Sequence, residues 1–511
     1  MADALARDPA LRRAFTYRPN SSLYRVAGQV RYVESRLTGT LRSYHLVAIE
    51  PSEALEATLA RARGGARFDA LAAALVDDEI SLAEAEDYVG ELIQSQVIVP
   101  DVAVPVTGPE PVHVLVDELG ARRETAAIAR PLAAARDAIH AIDAAGPGAP
   151  PERYRAIARA LEALPTKVEL PRLFQVDMVK PAPGATLGGA VLAEITAGVE
   201  LLYRLGQRSG SERLARFRDA FTARYEGREV PLVEALDEEA GVGFEASSET
   251  SPLLQDLAFP GDAPEPVPWG PREALLLRKL GEALQSGREE IVLEPGDVEK
   301  IASRDSRPLP RAFAVMVSVV AASDEELSRG RFRVLLGSPD GPPGARLLGR
   351  FCHADGELRS RVEQYLRAEE AFDPEAMFAE IVHLPEGRLG NILLRPILRE
   401  YEIPFLGRSG APEERQLPIT DLMVSVVGGE IVVRSARLRR RVVPRMTTAH
   451  HYAFNSLGLY RFLCDLQTQG VARGGWSWGP LQGAPFLPRV AMGRLVLARA
   501  RWTAYKDELA R

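Results

Sequence analysis

The order of elements in the first hundred residues constrains this chain more than any other feature. Leu23-Tyr24-Arg25-Val26 and Gln29-Val30-Arg31-Tyr32-Val33 carry apolar residues at alternate positions on either side of Ala27-Gly28. That is the pattern of a hairpin whose backbone turns at the glycine. A third extended run, Tyr44 to Ile49, is followed by three helical stretches: Ser52 to Ala62, Phe68 to Val76 and Leu82 to Ser95. The last two show apolar spacings of three and four residues (Leu71, Leu75; Val89, Leu92, Ile93). Asp69 marks the start of one; Ser81 with Glu84 forms a capping-box pattern at the other. Val97-Ile98-Val99-Pro100 closes the block as a strand. The reading is a winged-helix module over residues 20–102 behind an N-terminal tail, 1–19. Such a module leaves a sheet edge to which an extended peptide adds as a further strand. The hairpin residues Tyr24, Val26, Val30 and Tyr32 are the candidates for that contact.

Beyond a Pro/Gly-bearing exit, Val112 to Leu164 is helical and Ala-rich, broken at Ala144 to Gly148. A short strand is expected around Leu173 to Val176. Leu187 to Leu205 reads as a helix with Leu192, Ile195, Val199 and Leu202 on one face, and a further helix covers Glu212 to Arg224. Prolines 264, 266 and 268 make residues 261–271 a linker, since proline at that density suits neither helix nor sheet interior. The linker divides a helix-rich part, 103–260, from a strand-rich part, 272–511. Extended runs in the latter cover Phe313 to Val320, Phe332 to Leu336, Glu380 to Leu384, Leu422 to Val427, Ile431 to Arg434 and Arg494 to Leu497. Without regular βαβ alternation, the fold class is α+β.

Composition excludes several classes. Two cysteines among 511 residues, Cys352 and Cys464, have no paired spacing, so neither a disulfide framework nor a metal site is expected. The N-terminus lacks the apolar core of a secretory signal and no run is long enough to span a bilayer. A reducing, cytoplasmic location is the expectation. Net charge is −7, yet Arg434, Arg437, Arg439, Arg440, Arg441 and Arg445 fall within a dozen residues. This run reads either as a salt-bridged surface or as a phosphate-contacting patch. The helix Leu82 to Ser95 carries Glu84, Glu86, Asp87 and Glu91, which repel phosphates and argue against a DNA-binding regulator.

Candidate chemistry gathers at a few positions. Asp177 follows Phe174-Gln175-Val176 and either caps the next turn or orients a reacting group. Arg350, in Gly349-Arg350-Phe351 after a Gly/Pro-rich loop, either pairs with Asp355 or Glu357 or binds an anion bidentately. Arg388, Asn391 and Arg395 share one Gly/Pro-bearing stretch and serve either loop architecture or substrate binding. His450 and His451 are adjacent, point apart and make poor joint ligands. No nucleophile elbow, phosphate loop or dinucleotide fingerprint occurs.

Seven short phrases in register, from Leu173-Phe174-Gln175-Val176-Asp177 through Phe221-Thr222-Ala223-Arg224-Tyr225, Gly349-Arg350-Phe351, Arg388-Leu389-Gly390-Asn391, Asp421-Leu422-Met423-Val424 and Arg434 to His451, to Leu487-Pro488-Arg489-Val490, resemble the lanthipeptide (lantibiotic) dehydratases. The resemblance is to their glutamylation domain and runs from Leu23 to Trp502. It implies a leader-binding winged module and a site in which Arg350 and Asp177 are catalytic and Arg388, Asn391 and Arg395 bind substrate. It also implies no bound cofactor and glutamyl-tRNA as co-substrate, with the arginine run contacting tRNA phosphates. Only about twenty residues precede Leu23, whereas the family carries an arginine-bearing segment there and an elimination domain downstream. The expectation is a partner chain that supplies both, with a non-catalytic leader-binding scaffold or a truncated relic as the alternative.

Overall fold

Phe15 and Tyr17 are fully buried, so the segment ahead of Leu23 is part of the core rather than a tail. In a computed structural model, which describes residues 5, 8–38, 41–102, 104–206, 211–244, 267, 269–303, 307–386, 390–453 and 457–504, strand β1 (Thr16–Pro19) lies at the centre of a three-stranded sheet. Its neighbours are β5 (Ala66–Arg67) and β6 (Ile98–Pro100), both antiparallel. A second sheet holds β2 (Tyr24–Val26), β3 (Gln29–Thr38) and β4 (Leu41–Ile49), in that order. Ala27 and Gly28 take φ of 51° and 78°, the paired left-handed conformations of a two-residue hairpin turn.

Three helices follow the expected signals: α1 (Glu53–Ala62) capped by Ser52, α2 (Phe68–Ala73) and α3 (Leu82–Gln94) with the Ser81–Glu84 capping box. They pack with both sheets around Val30, Tyr32, Leu59, Phe68, Leu71 and Val89. That core continues into Leu119 and Ala129, which belong to the helices Pro111–Gly120 and Ala126–Ala145.

The chain forms two compact units that cut across the linear division at the linker: residues 1–179, 217–248 and 346–466 in the first; 180–216, 249–345 and 467–511 in the second. Most of the expected linker lies outside the described residues. Besides the module, the first unit contains a six-stranded mixed sheet. Its strands are β7 (Val230–Pro231), β8 (Met377–His383), β9 (Tyr401–Phe405), β10 (Leu422–Val427), β11 (Glu430–Ser435) and β12 (Arg441–Arg445), in the order β9-β8-β12-β11-β10-β7. β8 runs parallel to both neighbours and is buried at every position.

In the second unit a five-stranded sheet (Glu290–Val292, Arg489–Met492, Leu495–Ala498, Phe332–Leu336, Val317–Ala321) shares a core with the helices Gly189–Leu205 and Pro271–Gln285. Two expectations fail locally. Leu192 is 49% exposed and Val191 takes the buried place, one helical position away from the face read from the sequence. Leu170–Leu173 is one helical turn, and no strand forms through Val176, because this segment finds no partner strand for its backbone.

Within the first unit a buried polar joint anchors the module. The Asp237 carboxylate accepts from Tyr24 Oη at 2.8 Å, from Arg31 Nη1 at 3.0 and 3.1 Å, and from the backbone N–H groups of Glu239 and Ala240. Arg31 also pairs with Glu239. Removing one partner of a buried pair strands the other charge, a loss of about 3–5 kcal/mol. Asp237→Ala should therefore lower the urea midpoint markedly, and Arg31→Ala should do the same. A midpoint within 0.3 kcal/mol-equivalent of wild type, roughly the noise of such comparisons, would show that the joint contributes nothing.

Candidate functional site

The exposed irregular segment at Asp177 meets the one-turn helix Gly349–His353 across 173 residues of sequence. Arg350 Nη2 donates to Asp177 Oδ1 in a short ion pair, and each side chain is 24% exposed. Gln175 Nε2 donates to Asp177 Oδ2 at 2.8 Å, and Gln175 Oε1 accepts from Asn391 Nδ2. Three residues expected to act together, Asp177, Arg350 and Asn391, are thus joined in one chain of hydrogen bonds. Gln175 is the link, its amide oriented by a carboxylate on one side and a donor on the other. The Arg350 guanidinium also lies 4.7 Å over the Phe351 ring. Its Nε is buried with no hydrogen-bond partner among the described residues. Asp177 does not end a buried strand as its sequence context implied; it sits on an exposed irregular segment and is held by Arg350 and Gln175. Arg388 lies outside the described residues.

Arg395 is placed differently from its expected role. It is 1% exposed and enclosed by protein. Its Nε and Nη2 donate to Glu380 Oε1 at 3.0 and 2.7 Å, and two further donors reach the carbonyls of Leu393 and Ile381. Four of its five N–H donors are held inside the protein and the side chain is out of reach of solvent, so its assignment to substrate binding is corrected to an internal one. The same Glu380 oxygen accepts from Thr447 N and Thr447 Oγ1 at 2.8 and 2.7 Å. Arg399, Glu369, Glu370 and Arg445 extend this buried ionic cluster, with Glu369 bridging Arg399 and Arg445 at 2.6 Å each. Burial alone would raise the Glu369 pKa, but the Arg445 and Arg399 charges outweigh it and hold the carboxyl below its usual range. Glu380 went unnoticed in the sequence reading, although a lone carboxylate inside the run Met377-Phe378-Ala379-Glu380-Ile381-Val382-His383 was the signal for it.

The side chains proposed to hold a peptide turn inward. Tyr24, Val26, Val30 and Tyr32 are all buried, and β3 is paired on both sides. Among the described residues β2 and β4 each have a strand partner on one side only. Edges open to a further strand are therefore on β2, inside the Leu23–Val33 hairpin, and on β4, and strand addition at either would use backbone groups rather than those four side chains.

The arginine run is largely taken up by the protein. Arg434 pairs with Glu229, Arg441 with Asp373, and Arg437 and Arg440 donate to backbone carbonyls at 414–416 and 374–376. Arg445 is 9% exposed and bound to Glu369, so its reading as a phosphate contact is corrected. Arg439 is the exposed member with a left-handed φ of 54° and, among the described residues, no side-chain partner.

His450 is buried and bonded through Nδ1 to Tyr460 Oη at 2.9 Å, while His383 bonds the Phe405 carbonyl and lies against Tyr460. Burial pushes both imidazoles down, to about 4 and about 3. A histidine kept neutral in the fold stabilises it above the unfolded pKa of about 6.5, and that contribution is lost as pH falls toward the folded value. Between pH 6 and 5 the two residues should together cost up to about 2–3 kcal/mol of unfolding free energy. His450→Gln should flatten the dependence measured by urea denaturation, and an unchanged slope would show that His450 charges freely in the fold.

A family model described as the N terminus of lantibiotic dehydratase matches residues 1–511. The crystal structure of the tRNA-dependent lantibiotic dehydratase MibB from Microbispora sp. 107891 matches with a TM-score of 0.76 at 23% identity. The match covers 98% of this chain and 49% of that one. The TbtB glutamylation domain from thiomuracin biosynthesis matches at 0.57 and 21%, over 98% of this chain and 60% of that one. The same domain bound to 5'-phosphodesmethylglutamycin gives the same values. No curated protein matches. The chain spans about half the length of the first structure and three-fifths of the second, and identities this low establish the fold alone.

Proposed function

Since this chain belongs to the family of lantibiotic dehydratase N-terminal domains, we propose that it transfers glutamate from glutamyl-tRNA to Ser or Thr hydroxyls of a leader-bearing precursor peptide. The observation that carries the reading is the Asn391–Gln175–Asp177–Arg350 chain, a convergent polar site ending in a guanidinium that is 24% exposed. The peptide hydroxyl oxygen attacks the glutamyl ester carbonyl, and the bond from that carbonyl to the terminal ribose oxygen breaks. The hydroxyl proton ends on the ribose oxygen. Redox state is unchanged, and the ester supplies the activation. Arg350 stabilises the negative charge that develops on the carbonyl oxygen, while Asp177, held by Gln175, fixes the guanidinium plane. In the new ester the glutamate carboxylate is a better leaving group than hydroxide for a later β-elimination.

Leader recognition belongs, on this reading, to an open edge of the β2–β4 sheet. The test is an assay of the chain with glutamyl-tRNA, the peptide and the proteins encoded beside it. Arg350→Ala should lower glutamyl adducts by about 10²–10³-fold with leader affinity unchanged. Wild-type adduct levels in that variant would remove Arg350 from the site. Leader binding by the wild-type chain without any adduct would favour a scaffold.

Phosphate contact by the arginine run narrows to Arg439 and its exposed neighbours. Arg439→Ala should reduce the log–log salt slope of glutamyl-tRNA binding by about one. An unaltered slope would leave the run as a surface neutralised by its own acidic partners.

A further inference from the structure

We propose that Glu380, Arg395 and Thr447 are positioning residues for Arg350, acting through the contact between Gly349 and the Thr447 carbonyl. The proposal rests on the glutamyl-transfer reading for its effect on rate, but not for its effect on structure.

A Cβ placed on Gly349 would lie 2.3 Å from the Thr447 carbonyl oxygen and 3.5 Å from Arg395 Cδ. No side chain fits in that gap, and the backbone at this glycine is not left-handed. Close approach, not turn geometry, therefore demands glycine here. The helix that presents Arg350 rests flush on the chain at Thr447.

Thr447 is itself immobilised. Its backbone N–H and its hydroxyl both donate to Glu380 Oε1, the oxygen that also takes Nε and Nη2 of Arg395. Four donors on one buried oxygen leave the carboxylate a single orientation. Arg395 is also gripped at its backbone: Gly108 N–H donates to its carbonyl at 3.0 Å, and its own N–H reaches the Val106 carbonyl. Thr107, between them, donates to the buried Glu402 at 2.7 Å. The platform is thus pinned from two sides, by β8 and by the segment leaving the winged module. Its mobile alternatives are few, because each would leave a charge buried without its partner. Arg350 stands on this platform, and its partly exposed end is the part paired with Asp177.

Two variants test the assignment in the full chain. Thr447→Val keeps the shape and the backbone bond and deletes one hydroxyl donor; Gly349→Ala puts a methyl group against the Thr447 carbonyl. Thr447→Ser restores the hydroxyl. Hydrogen–deuterium exchange over residues 347–354 should accelerate about tenfold or more in Thr447→Val, with exchange in β2–β4 unchanged and thermal unfolding within a few degrees. In the transfer assay kcat should fall about tenfold to a hundredfold, the range expected for misplacement of a reacting group. The peptide KM should hold, and Thr447→Ser should recover both readouts. Wild-type exchange over 347–354 in both Thr447→Val and Gly349→Ala would overturn the proposal, as would wild-type kcat in both. Faster local exchange in a system where even the wild-type chain makes no adduct would reject the transfer reading and leave the positioning role standing.

Discussion

The first unit is organised around a balanced set of buried charges. Glu369, Glu370 and Glu380 face Arg395, Arg399 and Arg445, and all but Glu370 have side chains almost entirely out of water. Each ion taken from water costs several kcal/mol, and only its partners offset that cost. The balance therefore dictates which segments lie together. β8 brings Glu380, the helix Gly356–Glu370 brings Glu369 and Glu370, β12 brings Arg445, and the stretch after Leu393 brings Arg395 and Arg399. The Gly349–His353 turn leads directly into the Glu369 helix, so the placement of Arg350 follows from this arrangement.

The module joins the same unit through polar contacts as well. Asp237 holds Tyr24 and Arg31. On β4, Tyr44 is buried, packs its ring 5.9 Å from His383 and donates to the Leu384 carbonyl. This edge strand thus touches the end of β8, three residues beyond Glu380. Polar joints of this kind specify one geometry more sharply than apolar packing, since a shifted register would leave their groups unsatisfied.

Local signals in the sequence were legible, and non-local ones were not. The hairpin turn and the Ser81–Glu84 cap were readable because their causes lie within four residues. β1 was missed because Thr16–Pro19 is short and its partners lie about fifty and eighty residues away. The inward alternation of Val26, Val30 and Tyr32 reports burial, which is why it could not identify a contact surface for peptide. The arginine run looked like a cationic surplus because Glu229 and Asp373, which neutralise Arg434 and Arg441, are 205 and 68 residues distant. Asp177 and Arg350 were found through short phrases, with no indication from periodicity that they would meet. Gln175 lay inside one of those phrases and was read as strand.

The two arginines first grouped together, Arg350 and Arg395, differ in the one property that decides what an arginine can do. The Arg395–Glu380 pair is 1% exposed on both sides, and parting it would strand two ions in a low-dielectric interior, so it is permanent. The Arg350–Asp177 pair is 24% exposed on both sides. Pairs open to solvent contribute about 0.2–1 kcal/mol, little enough for an incoming anion to share or replace Asp177 on the guanidinium. Exposure therefore separates the arginine built to exchange partners from the arginine built to keep them, and the contact of Gly349 with Thr447 sets the first upon the second.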